Sequence, residues 1–179
     1  MWGRRLSDDI DLGALPASAM FDTTILIPAL GKKKRSTDDA ASGPLFEAMI
    51  RAKRLVLIAA PSAAELWRRE PKHSMPRTRY VRIVAFDQLA AKVLGTHFPP
   101  GVLTEWRDQQ GKPSHYIKYD AMIVACALRH RVGEFVSTDE TQRKLASLVG
   151  LTVKAPKDYL TKQLSLRPQT PATEAPPKK

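Results

Sequence analysis

The chain has 179 residues, 43% of them hydrophobic and 26% charged, which suits one ordinary globular domain with extensions and argues against a wholly disordered protein. Its 29 Lys+Arg against 18 Asp+Glu give a net charge of +11, a field that attracts polyanions such as nucleic acid or an anionic membrane surface. One cysteine excludes an internal disulfide, four scattered histidines offer no zinc-ligand spacing, and no apolar run approaches a membrane span.

The opening "MWGRRLSDDIDLGALPASAM" has an arginine pair but no continuous apolar core, so it makes a poor secretory signal and the expected location is cytoplasmic. Residues 1–18 are weakly patterned and read as an N-terminal extension. "TTILI" has the composition of a strand. "GKKKRSTDDAASG" reads as a polar loop with a basic run at Lys32, Lys33, Lys34 and Arg35. In "GPLFEAMIRAKR", Leu45, Phe46, Met49 and Ile50 share one helical face. "LVLIAA" is a short continuous apolar run ended by Pro61, the pattern of a strand buried on both faces. "SAAELWRRE" then reads as a helix, with Ser62 as cap and Glu65 three residues later.

"REPKHSMPRTR" is basic, broken by two prolines and without a clear element. "VRIVAF" reads as a strand, and "DQLAAKVLGTHF" as a helix capped by Asp87 and ending near Gly95. "YDAMIVACALRHRVG" reads as a helix opened by Asp120, with cations in its last turn and Gly133 past its end. "EFVST" is a strand, "DETQRKLASLVG" a helix and "LTVKA" a last strand. The tail "RPQTPATEAPPKK" lacks apolar bulk and reads as disordered. Strands alternating with helices predict an α/β fold over residues 19–160, with a mostly parallel sheet between helical layers, and residues 161–179 as a Pro-rich tail.

Four acidic residues stand out by position. Asp139 follows a strand directly, and Glu65 and Asp120 lie near helix starts that face the same rim of a parallel sheet, where ligands gather. With Asp22, they would form an all-oxygen site of the kind that holds Mg²⁺ or Mn²⁺. Each also has a purely structural explanation. Asp120 and Asp139 would serve as N-caps, and Glu65 as the partner of Ser62 in a capping box.

The words around these residues resemble a PIN-domain nuclease. "FDTTILI" is similar to the family's opening motif, "PSAAEL" to its second, "YDAMIVACAL" to its acidic helix, and "FVSTDE" to its last strand end. The four occur in the family's order over roughly residues 19–156. The resemblance implies that Asp22, Glu65, Asp120 and Asp139 are the catalytic and metal-ligating acids, with Ser137 and Thr23 supporting them. It also implies that "ASAMF" is the first strand and that a helix, not a strand, follows Asp22, with Pro28 near its first turn.

Further implications are a Mg²⁺- or Mn²⁺-dependent ribonuclease that leaves a 5′-phosphate and a 3′-hydroxyl. The core length resembles that of VapC-type toxins, which implies structured RNA such as tRNA or rRNA as substrate and a small antitoxin as partner, and allows a homodimer. Lys32–Arg35, Arg77, Arg79 and Arg82 are the candidate RNA-backbone contacts. The alternatives are a PIN-domain RNA-processing nuclease without antitoxin, a non-catalytic PIN-like RNA-binding module, and a small α/β phosphatase or receiver-like protein.

Overall fold

A computed structural model describes residues 9–30, 37–69, 71, 74–111 and 113–161. The elements in chain order are β1 (Ser18–Phe21), α1 (Thr23–Leu30), α2 (Thr37–Arg51), β2 (Leu55–Ala59), α3 (Ala60–Arg69), β3 (Val81–Val84), α4 (Gln88–His97), α5 (Pro100–Gln110), α6 (Ser114–Arg129), β4 (Glu134–Val136), α7 (Glu140–Leu148) and β5 (Val153–Lys154). Single 3₁₀ turns at Leu12–Ala14 and Pro156–Tyr159 flank them. Among the described residues no helix is long and apolar enough to cross a membrane.

The five strands form one sheet in the order β3-β2-β1-β4-β5, and every pairing is parallel. Strand pleating sorts the core into two halves, because successive side chains point to opposite faces. Ala19, Phe21, Val56, Ile58 and Val136 pack with α1 and α2. Met20, Leu57, Ala59 and Phe135 pack with α4, α6 and α7. This two-sided burial explains why β2 reads as an uninterrupted apolar run. The expected α/β architecture is therefore present, with all strands parallel.

Several local expectations are corrected. Helix α2 begins at Thr37, so "TDDAASG" is helical, whereas Lys32–Arg35 lie outside the described residues. β2 runs into α3 without a loop, which places Ser62 inside the helix, its hydroxyl buried and without a hydrogen-bond partner; no capping box forms with Glu65. Pro28 lies in the second turn of α1, not the first, and its missing N–H leaves the Thr24 carbonyl without a helical donor. Asp120 is not an N-cap: α6 starts six residues earlier, after Pro113. Helix α5 was not anticipated; it carries no fully buried residue, and only Leu103 and Trp106 pack against the core.

Residues 9–17, read from the sequence as extension, contribute Ile10 and Leu15 to the core. Ile10 bridges antiparallel to Leu160. The last 3₁₀ turn delivers Tyr159, whose hydroxyl donates to the Glu134 carboxylate and whose ring lies 4.9 Å from the Lys154 ammonium. Lys154 in turn pairs with Glu134 at 2.9 Å. Burial and the adjacent Glu134 carboxylate both push the Tyr159 phenol upward, so it stays protonated and continues to donate.

Phe135 is fully buried in the middle of β4, between β1 and β5. Replacing Phe135 by Ala removes a large apolar side chain and opens a cavity, and should cost about 3–5 kcal/mol. Urea denaturation monitored by circular dichroism would read the shift in midpoint.

Candidate active site

The sheet order places β1 beside β4. The chain builds outward from β1 through β2 to β3, then crosses to β4 and β5 on the other side. The crevice at that switch lies between the ends of β1 and β4, where ligands of parallel sheets settle. Phe21 is in register with Val136, and the Asp22 N–H donates to the Val136 carbonyl at 3.2 Å. The residues immediately after both strands, Asp22 and Ser137, are therefore forced together at the crevice.

Asp22 is 1% exposed. Its carboxylate accepts from the Thr24 N–H, from the Ser137 hydroxyl, and from the Thr24 hydroxyl at 3.2 Å. Its carbonyl accepts from the N–H groups of Ile25 and Leu26, both at 3.1 Å, which starts α1. The polar web continues outward. The Asp139 N–H donates to Ser137 Oγ at 3.0 Å, Gln142 Oε1 lies 3.2 Å from that oxygen, and the Thr138 N–H donates to Thr24 Oγ1 at 3.0 Å. Asp139 caps α7 by accepting from the Gln142 N–H at 3.1 Å. The same residue lines the cavity described below.

Burial pushes the Asp22 carboxyl from its ordinary 3.8 up to about 6. The hydrogen bonds from Ser137 and Thr24 pull it back in part, and the Asp139 charge adds to the rise. An ionised Asp22 at neutral pH is therefore maintained against its surroundings.

All four sequence-predicted acids line one cavity of about 860 Å³: Asp22, Glu65, Asp120 and Asp139. Asp120 enters from the second turn of α6, carried by a helix whose next residues, Ala121 and Ile123–Ala127, are buried. Glu65 enters from α3 but is held at 2.7 Å by Arg69. Ser137 is buried and its hydroxyl donates to Asp22. Thr23 also lines the cavity, yet its hydroxyl has no partner; the neighbouring Thr24 holds the carboxylate instead. The oxygen-only donors suit a hard divalent cation. As the side chains stand, no three carboxylate, imidazole or thiol groups among the described residues converge tightly enough to hold one.

Of the predicted cationic contacts, Lys32–Arg35 lie outside the described residues, and Arg77, Arg79 and Arg82 do not line this cavity. Arg77 and Arg82 are exposed, with Arg82 on the edge strand β3, and Arg79 lies over the Tyr80 ring at 5.0 Å. Among the described residues the cavity's arginines come from α3, as Arg68 and Arg69. Helical spacing from Glu65 finds both, at i+3 and i+4. Gln142 was also missed, although it stands three residues after the acid that caps its helix.

The all-parallel sheet with helices on both faces is consistent with a PIN-like fold. No protein-family model matches the chain, and no curated protein matches it in sequence. Among solved structures the chain is similar to one in the crystal structure of VapBC2 from Rickettsia felis bound to a DNA fragment from their promoter. The TM-score is 0.51 at 16% sequence identity, over 76% of this chain and 97% of that one. At this identity the likeness is one of fold.

The raised Asp22 value sets a pH dependence. Below about pH 4 the carboxyl is protonated in both folded and unfolded chains, and its burial costs nothing extra. As pH rises from 3.8 to about 6 only the unfolded chain gives up the proton, so stability falls. Above that window the full penalty persists, about 3 kcal/mol at 1.36 kcal/mol per pH unit. Asp22→Asn keeps an oxygen for the Thr24 N–H and carries no charge. Its melting temperature should exceed that of the parent at pH 7.5, and the difference should vanish near pH 4.

Proposed function

We propose that the protein is a metal-dependent endoribonuclease, and that it acts in the cytoplasm as the toxin of a toxin–antitoxin pair. The observation that carries this reading is that four acids from four separate segments line one cavity at the β1–β4 crevice. A domain with only a binding role gains nothing from a buried carboxylate that costs it stability. The fold likeness to a chain of VapBC2 supports the toxin–antitoxin assignment and a small antitoxin as partner.

In this reading Asp22, Asp120 and Asp139 would hold Mg²⁺ or Mn²⁺, and Glu65 would complete the set on release from Arg69. A bound divalent cation supplies neutralisation of phosphate charge and a water of lowered pKa. The chain's own contribution is positional. Ser137 and Thr24 fix the Asp22 carboxylate by three hydrogen bonds, and α6 mounts Asp120 on a buried helix. Arg68 and Arg69 offer positive charge to the phosphodiester at the cavity wall.

Two measurements test it. Asp120→Asn should lose at least about a hundredfold in Mn²⁺-dependent cleavage of RNA, while circular dichroism and melting temperature stay near those of the parent; activity like the parent's sinks the assignment. Titration with Mn²⁺ should raise the parent's melting temperature, corresponding to about 2.7 kcal/mol at one hundred times the dissociation constant. A non-catalytic module would show no such rise.

A further inference from the structure

The sheet ends on one side at β3, and among the described residues no strand flanks its far edge. Val56 is in register with Val81, and its N–H donates to the Tyr80 carbonyl at 2.7 Å. Neighbouring residues of a strand turn their backbone groups to opposite edges, so Arg82 and Val84 bond inward to β2. Val81 and Ile83 turn theirs outward. The Val81 N–H is taken up by the Thr78 carbonyl at 3.4 Å. The Val81 carbonyl and both backbone groups of Ile83 are left without a ladder among the described residues. Such an edge is a template for another chain. The opposite edge, β5, is only two residues long.

The side chains specify what kind of chain. Arg82 is in register with Leu57, on the face of α4 and α6, and Ile83 with Ile58, on the face of α1 and α2. Both are exposed, Ile83 by 42%. Arg77 and Arg79, just ahead of the strand, are exposed as well. From Pro71 to Phe86 the sequence has no acidic residue. Asp87, the next acid, caps α4 and lies 3.6 Å from Arg129. The edge is thus cationic on one face and apolar on the other. A second copy of β3 suits it poorly, because full two-fold pairing sets the two Arg82 side chains opposite or diagonal to each other.

We propose that β3 docks an extended segment of another protein as an added strand, with acidic side chains on the face of Arg82 and apolar ones on the face of Ile83. Main-chain bonds to Val81 and Ile83 hold the segment, and the alternation of charge and apolar bulk selects it. β2 separates this edge from β1, and no residue of β3 lines the acidic cavity. Docking therefore tethers a partner and leaves the crevice open. Nothing in this inference depends on the nuclease reading.

Fluorescence anisotropy of a labelled octapeptide alternating valine and glutamate, titrated with the full chain, tests this. Saturable binding is expected, at least about tenfold tighter than for the same peptide with lysine in place of glutamate. Arg82→Glu should reverse that preference. Methylating alternate amide nitrogens of the peptide keeps its charge and removes its donors on one edge, and in one of the two frames should weaken binding about tenfold. Ile83→Pro deletes the outward N–H while the inward bonds of Arg82 and Val84 stay, and should weaken binding similarly. The inference is overturned if both methylated peptides bind like the parent peptide, since charge alone would then suffice. It also falls if Arg82→Glu keeps the preference for glutamate, or if no saturable binding is seen up to about 1 mM peptide. A dimer in sedimentation that Ile83→Pro dissociates would assign the edge to a second copy and overturn it too.

Discussion

The structure turns on a carboxylate kept out of water where two neighbouring parallel strands end. Asp22 follows β1 directly, and Ser137 follows β4 directly. Pairing of Phe21 with Val136 leaves no freedom about where the next residues go. The Ser137 hydroxyl and the Thr24 N–H then supply the hydrogen bonds that a buried anion requires. Everything nearby is arranged from that contact: α1 starts on the Asp22 carbonyl, and α7 starts on Asp139, whose own N–H reaches the same serine. One polar web therefore joins both halves of the sheet.

The web also explains why stability is surrendered at the cavity. A hydrophobic residue of similar size at position 22 would be cheaper to bury than a carboxylate whose pKa is lifted to about 6. The surrounding sheet compensates. β1 and β2 are almost completely buried, and each large apolar side chain removed from water contributes about 1.5–3 kcal/mol. The buried sheet thus supports the desolvated carboxylate. Asp120 illustrates the same division, being a polar residue at the head of a buried helical stretch.

Much of this was legible in the sequence because the strongest signals are those of burial. The four later strands were read from short, mostly apolar runs, whereas composition placed the first at "TTILI" and only the resemblance put it at "ASAMF", where the structure has β1. Several of the missed features share a different character: they face solvent. Helix α5 packs through little more than Leu103 and Trp106, which is too weak a period to notice among Gly, Pro and Gln. Among the described side chains in the first turn of α6 only Ile117 is buried, so the apolar run seemed to start at Ala121; Pro113 was the unused start signal. The choice between Thr23 and Thr24 depends on helix phase, which adjacent identical residues conceal. Glu65 looked like a capping partner because β2 was assumed to end in a turn, whereas strand and helix are continuous.

The pairing of the two ends of the described chain has a topological consequence. Asp11 N–H donates to the Tyr159 carbonyl at 2.8 Å, and Thr161 N–H to the Asp9 carbonyl at 2.8 Å. Tyr159 also reaches Glu134, the first residue of β4, whereas the cavity lies past the last. Entry and exit of the domain thus sit side by side, at the strand starts and away from the crevice. A domain built this way is suited to circular permutation, or to insertion within a loop of another protein, with its crevice left facing outward.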